Sequence, residues 1–434
     1  MRPDRLTQAA IEPLRTLDPA APLDDLEWLD AAVGDARLVA IGESAHYNAE
    51  SFLLRHRLLR YLVERHGFTA YALESGFLEA ARVDAWVHGS DDRLEGVMAD
   101  GLTSLMGLWA PVRDHLTWMR AHNALAPTKV AFHGIDLPGS NSSLLPGLSA
   151  VSAFLAQADP ELDLDPALGA TASRFAAMSP FSAPATLAGY MGLSQPERDA
   201  LTAGLADLAS RMRSRRLDYT HATSGAAYEW ACEAVRLTVA LDGLARNLAR
   251  GDQQSMMFDR DRAIADTVEW ILRRERRVVL AAHNGHVLRW PAAMPGLRPA
   301  TPAGLHLADR LGADYRVIGV TTGTGQTLSL GADFYAGRLF GPLPAPDAGS
   351  LDALLHASHD GLFGVDLRRL SPPDTASVGA ATRQRFGPFY SEVDALAAYD
   401  VLVHLPVVTP AETDTAAVAS SPADVQEAFR HWRA

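Results

Sequence analysis

The chain has 434 residues, 48% of them hydrophobic, and sets 39 basic against 52 acidic side chains for a formal charge of -13. That size and apolar content can fill a large core, and an acidic chain whose arginines are scattered and whose only lysine is Lys129 is a poor match for nucleic acid or an anionic membrane. No apolar run approaches the ~18 residues of a membrane span, the N-terminus lacks the roughly 7 to 15 residue apolar centre of a secretory signal, and the lone Cys232 excludes internal disulfides; a cytoplasmic protein is expected.

In chain order, short apolar runs with β-branched residues recur at 37–43 (RLVAIGE), 68–76 (FTAYALESG), 129–137 (KVAFHGIDL), 276–286 (RRVVLAAHNGH), 315–323 (YRVIGVTTG) and 399–407 (YDVLVHLPV). Each is followed by a helical pattern. Continuous apolar strands alternating with helices predict an α/β fold with a mostly parallel central sheet flanked by helices. After the first run comes a helix whose apolar side carries Phe52, Leu58, Leu59 and Leu62 together with Arg55, while Arg57 and Arg60 fall elsewhere and read as solvated. The segment 145–258 has few strand signals. In it, Ser194, Pro196 and Glu197 form a capping box that opens a helix with Leu201, Leu205, Leu208 and Met212 on one face. It reads as a helical inserted subdomain over the cleft, entered through the loop at 136–147 and separating core segments 1–144 and 259–434. Its Leu, Met, Phe and Tyr side chains read first as helix–helix core and, in the alternative, as an apolar lid. Cys232 packs inside one of its helices. The run VTTGTGQ (320–326) matches neither a dinucleotide fingerprint nor a P-loop and reads as a strand-to-loop turn.

The chemistry concentrates where strands end. Glu43, Ser44 and His46 follow the first run, Glu74 ends the second, His133 and Asp136 the third, and His283 and His286 the fourth. In a parallel sheet the C-terminal strand ends share one edge, where ligands bind, so these sequence-distant groups are expected to meet in one cleft. Arg55 on an apolar helix face must find an anion, since an unpaired buried charge costs several kcal/mol; Glu74 and Glu43 are the candidates. Arg260, on the helix at 259–272, repeats that argument. GESAH lacks the second glycine of a nucleophile elbow, which leaves Ser44 as a cap or substrate contact. The i,i+3 spacing of Glu43 with His46 and of His283 with His286 suits a metal site or metal-free acid–base catalysis, and spacing alone does not choose.

Taken together, GESAH (42–46) with Arg55 nine residues on, ALESGF (72–77), FHGIDL (132–137), RDRAIAD (260–266) and AAHNGHV (281–287) resemble the erythromycin esterase family over most of the chain. The resemblance implies an α/β core with a helical subdomain over an open cleft, and metal-free hydrolysis of macrolide lactones without a cofactor. Carried over by position, His46 looks like the base that activates water and Glu43 like its orienting carboxylate. Arg55 and Glu74 look like the ion pair that shapes the site. His283 and His286 would contact substrate, stabilise the oxyanion or protonate the leaving alkoxide, with Ser44, His133, Asp136 and Arg260 as substrate contacts. Ile264 and Thr267 stand where Met and Asn are usual. The expected partner is a small molecule, a macrolide or another lactone or ester. A biosynthetic enzyme using the same site for ester processing, cyclisation or elimination is the alternative, with a metal-dependent hydrolase or a non-catalytic binding protein behind it.

Overall fold

The computed structural model describes residues 5–162, 164–177 and 179–433. The strands are β1 (Glu12–Pro13), β2 (Leu38–Ile41), β3 (Ala70–Gly76), β4 (Ala131–Asp136), β5 (Val278–Ala281), β6 (Tyr315–Leu328), β7 (Phe340–Leu343), β8 (Phe363–Asp366), β9 (Arg383–Phe386), β10 (Phe389–Glu392) and β11 (Val401–Val408). Nine of them form one sheet in the order β1-β8-β11-β6-β2-β5-β3-β4, with β7 added to β6, and β9 pairs with β10 in a separate hairpin. From β11 to β4 every neighbouring pair is parallel, while β1, β7 and β8 join antiparallel. The mostly parallel sheet is therefore present, with antiparallel strands at β1, β7 and β8.

The sheet separates two cores because strand side chains alternate between faces. In β2, Leu38 and Ala40 enter one cluster and Val39 and Ile41 the other; in β5, Val278 and Leu280 part from Val279 and Ala281 in the same way. The helix Ala49–His66 packs on the second face through Phe52, Leu58, Leu59 and Leu62. It stops where Gly67 adopts φ 66°, a left-handed turn open to glycine, with its N–H bonded to Val63 O at 3.2 Å. Helices from Leu145–Ala158 to Gln253–Leu272 supply the first face. The Ser194–Glu197 capping box is formed, and Leu201, Leu205, Leu208 and Met212 are buried against neighbouring helices. One helix, Gln253–Leu272, runs through position 258. Among the described residues no helix is long and apolar enough to cross a membrane.

Two expectations change. Arg57 is not solvated: it is fully buried, donates to Asp18 O at 3.0 Å and Pro22 O at 2.7 Å, and pairs with Asp25. The N-terminal segment covers this side of the helix, which periodicity within the helix does not reveal. Likewise 320–326 is not a strand-to-loop turn but the continuation of β6, which keeps pairing with β11 to Gly325 and then with β7.

Candidate active site

The chain leaves β2 at Ile41 and reaches its next helix only at Ala49, after the N-cap residue Asn48. Glu43, Ser44 and His46 thus lie in the connecting loop and do not start the helix, which corrects the capping role. Gly42 is required there: a Cβ at that position would lie 2.0 Å from Asn284 Oδ1. Tyr47 holds φ 66°, a costly conformation for a bulky residue. Its carbonyl accepts from Ala411 N–H at 2.9 Å, its ring stacks on Trp109 at 5.1 Å, and its hydroxyl donates to Ser104 O. These contacts fix the turn that presents His46.

Glu43 is buried and divides its two oxygens between His46 and Arg55. Oε1 lies 2.6 Å from His46 Nδ1, and Oε2 lies 3.0 Å from Arg55 Nη1. Arg55 also donates to Ala282 O at 2.7 Å. Burial pushes the Glu43 carboxyl up, but Arg55 and His46 outweigh it and hold it below its ordinary value. An ionised Glu43 can only accept, so the His46 proton sits on Nδ1 and Nε2 carries the free lone pair. Burial lowers the His46 pKa, and Glu74 and Glu43 raise it further than burial lowers it.

Glu74 occupies the centre. Its Oε1 is 3.9 Å from His46 Nε2, 3.2 Å from His286 Nε2 and 3.1 Å from Arg260 Nη2, and its Oε2 accepts from His283 N–H at 2.7 Å. Burial again opposes ionisation, yet His286, His46 and Arg260 hold Glu74 well below the ordinary carboxylate range. Arg260 forks onto Asp136 at 3.1 and 2.7 Å. The Arg55–Glu74 pair implied by the family resemblance is therefore replaced by Arg55–Glu43 and Arg260–Glu74. The reason is topological: β5 lies between β2 and β3, and the Arg55 helix follows β2 directly.

The two remaining histidines differ. His283 Nδ1 accepts from Gly285 N–H at 3.0 Å and Nε2 faces Ser44 O at 2.9 Å, so backbone groups occupy both ring nitrogens. Burial drives its pKa down to about 4, and the ring is neutral. His286 Nδ1 instead meets Asp261 Oδ1 at 2.7 Å, and Asp261 together with Glu74 overcomes burial to raise its pKa to about 10. A raised value means that this contribution to stability is complete below the unfolded histidine pKa of about 6.5 and is lost as pH rises toward about 10. Chemical denaturation midpoints are expected to fall across that window, and His286→Gln should flatten the slope; equal slopes in the two proteins would contradict the assignment.

These groups form the floor of a cavity of about 300 Å³, at the lower end of ligand pockets. Four of the chain's 10 methionines, Met106, Met256, Met257 and Met294, line it with Phe386 and Phe389. Methionine walls adapt to irregular apolar shapes. The helical segment before residue 256 contributes no lining residue, so its apolar stripes are the helix–helix core.

His46, Glu74, Arg260, Asp136, His283, His286 and Ser44 come together at the cavity, with Glu43 and Arg55 buried behind it. Ser44 is already engaged: its hydroxyl donates to Arg385 O at 3.0 Å and accepts from Gly387 N–H at 3.4 Å. His133 does not join them. It sits three residues below the end of β4, ~10 Å at about 3.3 Å per residue, and faces Glu275 at 3.5 Å in the approach to β5. Sequence reasoning passed over Asp261, although an acid amid Ile264 and Ala265 on the buried helix side carried the same signal as Arg55. It also missed the β9–β10 hairpin, whose two-residue Gly387-Pro388 link between RQRF and FYSE is a hairpin signature. Among the described residues no group of three or more His, Cys, Asp or Glu side chains is arranged to hold a metal ion.

Fold and site define a mixed-sheet α/β protein with histidine–carboxylate pairs beneath an apolar cleft. The profile described as erythromycin esterase matches residues 63–408. Among curated proteins, Escherichia coli erythromycin esterase type II is 30% identical over 73% of this chain and 76% of its own length, and type I from the same organism 28% identical over the same shares. A mutant of erythromycin esterase EreC in its open conformation has the same fold, with TM-score 0.76 and 23% identity over 92% of this chain and 98% of that one. The chain belongs to the erythromycin esterase family.

Proposed function

We propose that the protein opens the ester of a macrolide or a related bulky lactone with water activated by His46, without a metal. The observation that carries this reading is the orientation of His46. Glu43 fixes the proton on Nδ1 at 2.6 Å, and Nε2 faces the cavity, 3.9 Å from Glu74. A general base needs that free lone pair within reach of substrate water. His286, protonated beside Asp261, is the group suited to return a proton to the leaving alkoxide, and neutral His283 is a scaffold between Ser44 and Glu74. Metal independence is supported by the pairing of the acids. Glu43 is held by Arg55, Glu74 and Asp136 by Arg260, and Asp261 by His286, so a divalent cation would have to displace these partners. The apolar methionine and phenylalanine wall suits a large, weakly polar ring.

Mass spectrometry of a macrolide panel incubated with the protein in chelator tests the reading. A gain of one water on at least one macrolide, undiminished by EDTA, is the expected result. Loss of turnover in EDTA with recovery on adding metal would overturn metal independence. Untouched macrolides together with turnover of another lactone would move the substrate to a biosynthetic ester. The basic form of His46 is the active one, so kcat/KM should rise with pH through a value above the ordinary histidine pKa.

A further inference from the structure

We propose that Asp261 is a positioning residue that holds the His286 imidazolium with Nε2–H toward Glu74 Oε1 at the cavity floor, from where it protonates the leaving alkoxide. This rests on the hydrolase reading above and adds to it a residue that the reaction needs but that does not touch substrate.

The geometry pairs two dyads across Glu74. Glu43 bonds His46 Nδ1 at 2.6 Å and Asp261 bonds His286 Nδ1 at 2.7 Å, and the two Nε2 atoms approach Glu74 Oε1 at 3.9 and 3.2 Å. The dyads differ in what surrounds the carboxylate. Glu43 shares its charge with Arg55 at 3.0 Å, which weakens its hold on a proton at His46. The Arg260 fork beside Asp261 is turned onto Asp136 and Glu74, so the Asp261 charge acts chiefly on His286. Asp261 is itself fixed, since Oδ1 also accepts from Ala303 N–H at 2.9 Å at the start of the helix Ala303–Leu311. The charged or titratable groups facing His286 are Asp261 and Arg260 from its packing helix, Glu74 from β3, His283 from its own loop and His46 across the cavity. Asp261 and Glu74 favour the imidazolium, and burial and Arg260 oppose it.

In the step, His46 Nε2 takes a proton from water as the hydroxide oxygen bonds to the acyl carbon. The tetrahedral intermediate then breaks its bond to the alcohol oxygen, which receives the His286 Nε2 proton. His286 is left neutral with Nδ1–H on Asp261, and the proton on His46 re-protonates it through solvent. One water is consumed, and one acid and one alcohol are formed.

The test is Asp261→Asn, whose amide oxygen can still accept from Ala303 N–H, assayed on an alkyl ester or macrolactone and on a 4-nitrophenyl ester, whose leaving group needs no proton. We expect kcat/KM to fall about 10²-fold on the alkyl ester and less than about 3-fold on the aryl ester, as loss of a positioned acid requires. The alkaline limb of the alkyl-ester profile should move to lower pH. Equal losses on both esters, or an unmoved alkaline limb, would overturn the proposal and leave Asp261 a structural residue. Should the variant fail to fold, 15N-histidine spectra of the wild-type protein decide. A His286 imidazolium persisting above neutral pH is expected, and a neutral ring there overturns the proposal. A wild-type protein that cleaves neither ester defeats the hydrolase reading itself, a result distinct from a selective or non-selective Asp261 effect.

Discussion

Alanine at position 46 is expected to lower kcat/KM on the scissile ester by about 10²- to 10⁴-fold, the contribution of a positioned general base. The protein should remain folded, because the imidazole lies at the cavity surface with 23% of its side chain exposed, and Glu43 keeps its 3.0 Å contact with Arg55. The variant should also lose the acidic limb of the pH–rate profile, since the group whose deprotonation produced it is gone. Steady-state kinetics beside a thermal melt separate the two effects: activity falls while the melting temperature holds. Wild-type turnover in His46→Ala would remove the base from the mechanism, whereas collapse of the melt would make His46 a structural residue.

Arg55→Met is expected to be the most destabilising single change at the site. Arg55 and Glu43 are each about 1% exposed, and removing one partner of a buried pair costs about 3–5 kcal/mol because the other charge is left uncompensated. Urea denaturation should show a loss of that size, together with loss of activity, since Glu43 would then bind the His46 proton more tightly and His46 would no longer act as a base near neutral pH. The double variant Arg55→Met with Glu43→Gln removes both charges at similar volume. Much of the stability should return, and the activity should not. A single variant as stable as wild type would show that the pair is not the buried ion pair described here.

Particular residues show how far the sequence reached. The six apolar runs became β2, β3, β4, β5, β6 and β11, because strands buried on both faces carry uninterrupted apolar residues. The short β8, β9 and β10 have little apolar length in FGVD, RQRF and FYSE; β8 pairs with β1 and β11 far along the chain, whereas β9 and β10 pair locally and only their Gly387-Pro388 link marks them. Arg55 was legible because a charge on an apolar helical face must be paired. Its partner was not, because Glu43 and Glu74 are equivalent in sequence and only the insertion of β5 between β2 and β3 separates them. His133 illustrates the opposite error, since proximity to a strand end in sequence does not bring a side chain to the edge of the sheet.

By itself the sequence determined the class of fold, the family resemblance and the set of side chains that carry charge into an apolar setting, because these follow from periodicity and from the cost of burying an unpaired ion. The tertiary structure decided which ion meets which. It gave both nitrogens of His283 to the backbone, joined His286 to Asp261, set Arg260 on Glu74 and Asp136, and built the cavity wall from methionines and a hairpin distant in sequence. Strand order and loop approach fix those distances to within a hydrogen bond, and no local pattern of residues contains them.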